Sequence, residues 1–131
     1  MMLNKKTALI VEDEEVSALM LENILNKYGF ESIHCTNGKT AFETLVHEQE
    51  AVDILISDIV MPDMDGKELL HLVRSSDLTY DLPVILISGI LDKEQLSQLC
   101  QSYDIRLTKW LSKPVELDKL RSILVELSFL R

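Results

Sequence analysis

Glu12, Asp13, Asp58, Ser88, Gly89 and Lys113 share one feature: each stands at or just beyond the end of a short apolar run. Ala8–Val11 is followed by Glu12, Asp13, Glu14 and Glu15, and Ile54–Ile56 by Ser57 and Asp58. Val84–Ile87 leads to Ser88 and Gly89, and the last run leads to Lys113 and Pro114. Carboxylates drawn together as Glu12, Asp13 and Asp58 would be cannot all stay ionised without compensation. A hard divalent cation supplies it, and Mg²⁺ prefers oxygen ligands, a few carboxylates and retained waters. Its charge then keeps those carboxylates ionised. Asp58 in such a place can attack phosphorus as a nucleophile and form an acyl phosphate. Ser88 offers a hydroxyl, Gly89 a backbone N–H that can approach a phosphoryl oxygen closely, and Lys113 a mobile positive charge. Taken singly, each has a plainer reading. Glu12–Glu15 suit an acidic first turn of a helix through its dipole, the reading that fits Glu14 and Glu15 best; Ser88-Gly89 suits a strand-end turn, and a lone lysine suits a solvated surface. Their common location is what favours the chemistry.

The elements that would position these residues are legible in the periodicity. The three strongest runs are apolar without alternation, which predicts strands buried on both faces of a parallel sheet covered by helices. Ser32–Cys35 and Leu107–Leu111 are weaker strand candidates. Between them the period becomes helical. Leu21, Ile24, Leu25 and Tyr28 form one stripe, stopped by Gly29. Ala41, Phe42, Leu45 and Val46 form a second, and Leu69, Leu70 and Val73 a third. Leu96, Leu99, Cys100 and Tyr103 make the fourth; Leu117, Leu120, Ile123, Leu124 and Leu127 make the last. Asp65 with Glu68, and Asp92 with Gln95, have capping-box spacing. Five repeats of strand then helix predict an α/β doubly wound parallel sheet with helices on both faces. Ligands in such folds sit at the carboxyl ends of the strands near the switch in strand order. Every residue named at the outset falls on that edge.

Composition bounds the remainder. The chain has 131 residues, the size of one ordinary domain. A chain this long buries enough surface to need no disulfide or metal for its core. An apolar fraction of 47% with 27% charged residues describes a soluble globular protein. The net charge of −9 disfavours direct nucleic-acid binding and anionic membranes. The longest apolar runs are of the length of Ala8–Val11, far short of a membrane span, and Met1–Lys6 lacks the apolar stretch of a signal peptide. Cys35 and Cys100 read as buried thiols of a reducing cytoplasm. His34, His47 and His71 lack metal-ligand spacing and read as surface or boundary residues. Phe129 and Leu130 extend the last helix's apolar content beyond one face, as a frayed end, a dimer contact or the start of a linker.

The chain resembles the receiver domain of two-component response regulators. The matching elements are Ile10-Val11-Glu12-Asp13-Glu14, then Ile56-Ser57-Asp58 with Met61-Pro62-Asp63-Met64-Asp65-Gly66. Pro83–Gly89 and Leu111-Ser112-Lys113-Pro114 complete the set. The resemblance implies a flavodoxin-like (βα)₅ fold, with residues 1–131 forming a single receiver domain and no output domain in this chain. It implies that Asp58 is the phosphoacceptor and that Glu12, Asp13, Asp58 and the carbonyl of Val60 hold Mg²⁺. Ser88 would move toward the phosphoryl group, and Lys113 would pair with it. Trp110 falls where the family usually has a Tyr or Phe that swings inward on activation, near the output surface. Three residues depart from the usual pattern. Glu12 replaces the commoner Asp, and its longer arm suits reaching the metal through water. Trp110 is large for its position, where static packing or partner contact competes with inward burial. Gly89 stands where Ala is frequent, which leaves the phosphoryl site more open to water.

The function so implied is a phosphorylation-dependent signalling switch that autodephosphorylates slowly. Its partners would be a sensor histidine kinase or phosphotransfer protein, a downstream protein or fused output domain, and a second copy in a homodimer. A cis Lys113–Pro114 bond is expected to aim the lysine inward. A Mg²⁺-dependent phosphohydrolase is the enzymatic alternative, but no substrate pocket is evident and position 60 is Val where a second Asp would be needed. A phosphate-independent binding module would be marked by a missing acceptor, cation site or lysine. A flavin carrier would need a first loop that cradles phosphate, which Glu12–Glu15 would repel.

Overall fold

The computed structural model describes residues 5–48, 51–89 and 93–131. Strands and helices alternate along the chain: β1 (Lys6–Val11), α1 (Glu15–Lys27), β2 (Phe30–Cys35), α2 (Gly38–His47) and β3 (Ile54–Asp58). There follow α3 (Gly66–Ser75), β4 (Val84–Ser88), α4 (Lys93–Gln101), β5 (Thr108–Ser112) and α5 (Leu117–Glu126). The strands form one parallel sheet in the order β2-β1-β3-β4-β5. This is the doubly wound, flavodoxin-like order, with its switch between β1 and β3.

Alternation along each strand divides the core in two. Leu9, Val11, Leu55, Val84 and Leu86 face α2, α3 and α4, where Ala41, Leu45, Leu69, Val73, Leu96 and Cys100 cover them. Ala8, Ile10, Ile54, Ile56, Ile85 and Ile87 face α1 and α5, covered by Ala18, Leu21, Leu25, Leu120 and Leu124. Both faces are apolar because both are covered, which is why the runs show no polar alternation.

The boundaries differ from expectation by a residue or two. β3 and β4 continue through Ser57-Asp58 and through Ser88, because the parallel ladder pairs backbones and Asp58 still has Ile87 as its register partner. Tyr103 and Leu127 lie just past the ends of α4 and α5, yet both pack on the core. The Asp65 carboxylate caps α3 by accepting from the Glu68 N–H at 2.9 Å. The expected Asp92 cap lies outside the described residues. Phe129 folds back from the end of α5 to meet Phe30 edge to face, with ring centroids 5.5 Å apart. Among the described residues, no helix is long and apolar enough to cross a membrane.

Candidate phosphoacceptor site

β1, β3, β4 and β5 all deliver their C-terminal ends to one edge of the sheet. Glu12 leaves β1 with its N–H bonded to the Cys35 carbonyl, and it is 2% exposed. Asp58 closes β3, buried at 7% exposure, while Asp13 is exposed. Carboxylate oxygens of Glu12, Asp13 and Asp58 lie within 4.8 Å of one another. Lys113, just past β5, places its Nζ 2.8 Å from Asp58 Oδ2 and 3.3 Å from Glu12 Oε2. Its own N–H donates to the Ser88 carbonyl at 2.8 Å, and the Lys113–Pro114 bond is cis, as expected.

The electrostatics follow from burial and crowding. Burial pushes the Glu12 carboxyl above its ordinary range, and the hydrogen bond and charge of Asp58 push it further; the Glu14 N–H and Lys113 pull it back. Lys113 loses some solvation, but Asp58 and then Glu12 more than compensate and hold its ammonium above the usual range. One ammonium thus serves two of three clustered carboxylates, and Asp13 has no part in either contact. All-oxygen donors with surplus negative charge suit a hard divalent cation.

Two features outside the expected set support the site. Gly66 opens α3, and a side chain there would put its Cβ 2.5 Å from the Asp58 carbonyl oxygen and 2.8 Å from Ile59 Cα. Only a glycine lets the α3 terminus press so closely on the end of β3. The Gly66 N–H donates to the Ile59 carbonyl at 2.8 Å, and the Val60 N–H approaches Asp58 Oδ1 at 3.3 Å. His34, read from sequence as a surface or boundary residue, donates from Nε2 to the Glu12 carbonyl at 2.7 Å. That contact tethers the loop after β1 to β2, and nothing in the spacing of His34 signals it. Ser88 is buried at the end of β4, one register step beyond Asp58's partner Ile87. Gly89 follows it and is exposed. Trp110 is half-buried against the core on the α4 side and lines a groove of about 470 Å³ with Lys109 and Ile123.

The family model for the response regulator receiver domain matches residues 8–125. The chain belongs to the response regulator receiver domain family. It is 36% identical over 115 residues to the two-component response regulator ORR26 of Oryza sativa subsp. japonica, covering 88% of this chain and 19% of that protein. It is 32% identical over 118 residues to the autoinducer 1 sensor kinase/phosphatase LuxN of Vibrio campbellii, covering 90% of this chain and 13% of that protein. The receiver thus spans less than a fifth of the length of these curated relatives. The solved signal receiver domain of a signal transduction histidine kinase from Syntrophus aciditrophicus superposes with a TM-score of 0.79 at 30% identity, covering 96% of this chain and 92% of that one. This is a receiver domain of two-component signalling.

Proposed function

We propose that this receiver is a phosphorylation switch in which Asp58 accepts a phosphoryl group from a phosphohistidine on a sensor histidine kinase or phosphotransfer protein. The observation that carries the reading is the cluster of Glu12, Asp13 and Asp58, with Lys113 reaching two of the three. Glu12, Asp13, Asp58 and the Val60 carbonyl would hold Mg²⁺, which when bound supplies positive charge for the phosphoryl oxygens and the crowded carboxylates. The donor set fits it, being hard oxygens with more negative charge than one lysine offsets.

Phosphoryl transfer asks a protein chiefly for alignment and charge stabilisation. An Asp58 carboxylate oxygen bonds to phosphorus as the donor's P–N bond breaks, and the electron pair leaves on the imidazole nitrogen, which takes a proton. Lys113 exchanges its contact with Asp58 Oδ2 for a phosphoryl oxygen, and the Gly89 N–H donates to another. Ser88 then shifts its hydroxyl toward the phosphoryl group, the loop after β4 follows, and the face carrying Trp110 changes. Each step biases an existing two-state equilibrium. Slow attack by water on phosphorus releases inorganic phosphate and restores the carboxylate. The reading treats residues 1–131 as one cytoplasmic receiver unit acting on a downstream protein, a fused output domain or a second copy. Intact-mass analysis after treatment with acetyl phosphate tests it. One phosphoryl adduct that requires Mg²⁺ and vanishes in Asp58→Asn is expected. Equal labelling of that variant would refute it.

A further inference from the structure

The edge of the sheet opposite Asp58 carries a feature that the phosphoryl chemistry does not use. There the loop from α3 to β4 (residues 76–83) and the loop from α4 to β5 (residues 102–107) are fastened together by Arg74. Its guanidinium donates to the Tyr80 carbonyl at 3.1 Å and to the Leu82 carbonyl in the first loop. It also donates to the Leu107 carbonyl at 3.0 Å in the second loop and to the Thr108 hydroxyl at the start of β5. Burial pulls this guanidinium below its ordinary value, while the charges of Asp104 and Asp81, one on each loop, push it back up. Turn hydrogen bonds stiffen both loops. The Tyr80 N–H donates to the Ser76 carbonyl at 2.9 Å, and the Leu107 N–H to the Asp104 carbonyl at 3.1 Å.

What the clamped loops present to solvent is apolar. Leu78, Tyr80 and Ile105 are 50%, 58% and 56% exposed. Apolar side chains scattered singly are ordinary on a surface, but these three stand on two loops joined through one guanidinium. The loops are ordered before any partner arrives, so binding them costs little further entropy. Beside Leu78 opens a cavity of about 200 Å³, lined also by Asp53, Asp81 and Pro83. Asp53 uses Oδ2 to accept from the Thr7 N–H at 2.8 Å. The charged side chains of the two loops are Asp77, Asp81, Asp104 and Arg106. Arg106 pairs with Asp104 at 2.9 Å. Asp77 and Asp81, with Asp53 in the cavity, make up the excess negative charge.

We infer that this edge is a docking surface for a protein segment that combines arginine with apolar residues. The arginine head enters the cavity lined by Asp53 and Asp81, and its apolar neighbours cover Leu78, Tyr80 and Ile105. Charge selects this occupant. A second copy packed by two-fold symmetry would bring Asp77 and Asp81 against a surface of the same sign, and an anionic membrane would meet the same repulsion. A guanidinium pairs with carboxylates through a planar fork of donors, and Tyr80 offers it an aromatic surface for stacking. The cavity is far larger than the roughly 10–15 Å³ that one water requires. Because the surface lies across the sheet from Asp58, its occupant and a phosphoryl donor bind without competing for space.

The test titrates the isotope-labelled full chain with an alternating leucine–arginine hexapeptide, and separately with its leucine–glutamate counterpart, while backbone amide NMR shifts are followed. The arginine peptide should move the amides of residues 77–82 and 104–107 saturably, and the glutamate peptide should leave them in place. Asp81→Asn should weaken binding about fivefold and Tyr80→Ser about tenfold. Both side chains are exposed, and Arg74 holds Tyr80 through its carbonyl, so the clamp survives the substitutions. Thermal unfolding checks that it does. Absence of saturable shifts, shifts centred on Glu12–Glu15, equal shifts with the glutamate peptide, or affinity indifferent to both substitutions would each overturn the inference. So would loop shifts that vary with protein concentration before peptide is added, the mark of a second copy on this surface. Phosphoryl labelling plays no part in the readout, so failure here leaves the acceptor reading of Asp58 untouched.

Discussion

Lys113→Met removes the ammonium that reaches two of the clustered carboxylates while retaining most of the stem. Contacts of 2.8 and 3.3 Å to Asp58 and Glu12 would each give on the order of 5 kcal/mol of attraction at an effective dielectric near 20. Desolvation of the partners offsets most of it, and breaking a fully buried pair costs about 3–5 kcal/mol. The Lys113 side chain is 29% exposed, so water replaces part of the lost countercharge. A loss of about 2 kcal/mol is expected near neutral pH without divalent cation. The pH dependence is more diagnostic than the size. Burial, then Asp58, already holds the Glu12 carboxyl above its ordinary value near 4.5, and Lys113 is one of the groups pulling it down. In the variant it rises further. A carboxyl raised in the folded state binds protons more tightly there than in the unfolded chain. Its stabilising contribution is thus full below the unfolded value and is lost as pH climbs through the folded one. The deficit of Lys113→Met should be largest near pH 8 and shrink toward pH 5, and added Mg²⁺ should shrink it at pH 8. Urea unfolding of both proteins in EDTA at three pH values measures this. A deficit independent of pH, or one that grows on acidification, would refute the electrostatic argument.

Arg74, in the last turn of α3, donates to the carbonyls of Tyr80, Leu82 and Leu107 and to the buried Thr108 hydroxyl. Arg74→Met should cost about 2–4 kcal/mol in urea unfolding, with acetyl phosphate still labelling the folded protein, because the contacts lie at the opposite edge of the sheet. Burial pushes the Cys100 thiol up to about 11; the native state then holds its proton through a range where the unfolded thiol loses it, and stability falls as pH rises from about 9 to 11. Cys100→Ala should flatten that alkaline slope, read from melting temperatures at pH 8 and 10, and an unaltered slope would exclude Cys100 as its source.

The order of elements was legible because each strand is covered on both faces, so Ala8–Val11 and Val84–Ile87 stand out as unbroken apolar runs. Strand ends were less so. Ser57 and Asp58 end the apolar pattern while their backbones remain in the ladder with β4, and side-chain polarity does not report backbone pairing. The expected site residues assembled on one edge because a parallel sheet places every strand's C-terminus there. Arg74 was illegible: an arginine in a last helical turn reads as a solvated charge, and its partners at Leu107 and Thr108 lie 33 and 34 residues away in sequence. The sequence around His34 fits a surface or boundary residue alike, and its hydrogen bond to Glu12 depends on a register between β1 and β2 that no local pattern reveals.

The central claim is that Asp58 carries the phosphoryl group. Borohydride reduces an aspartyl phosphate to homoserine, which marks the acceptor permanently. Reducing acetyl-phosphate-treated protein and mapping its peptides should reveal homoserine at position 58, absent when donor or Mg²⁺ is omitted. Homoserine at Asp13 or another carboxylate with position 58 intact would contradict the account.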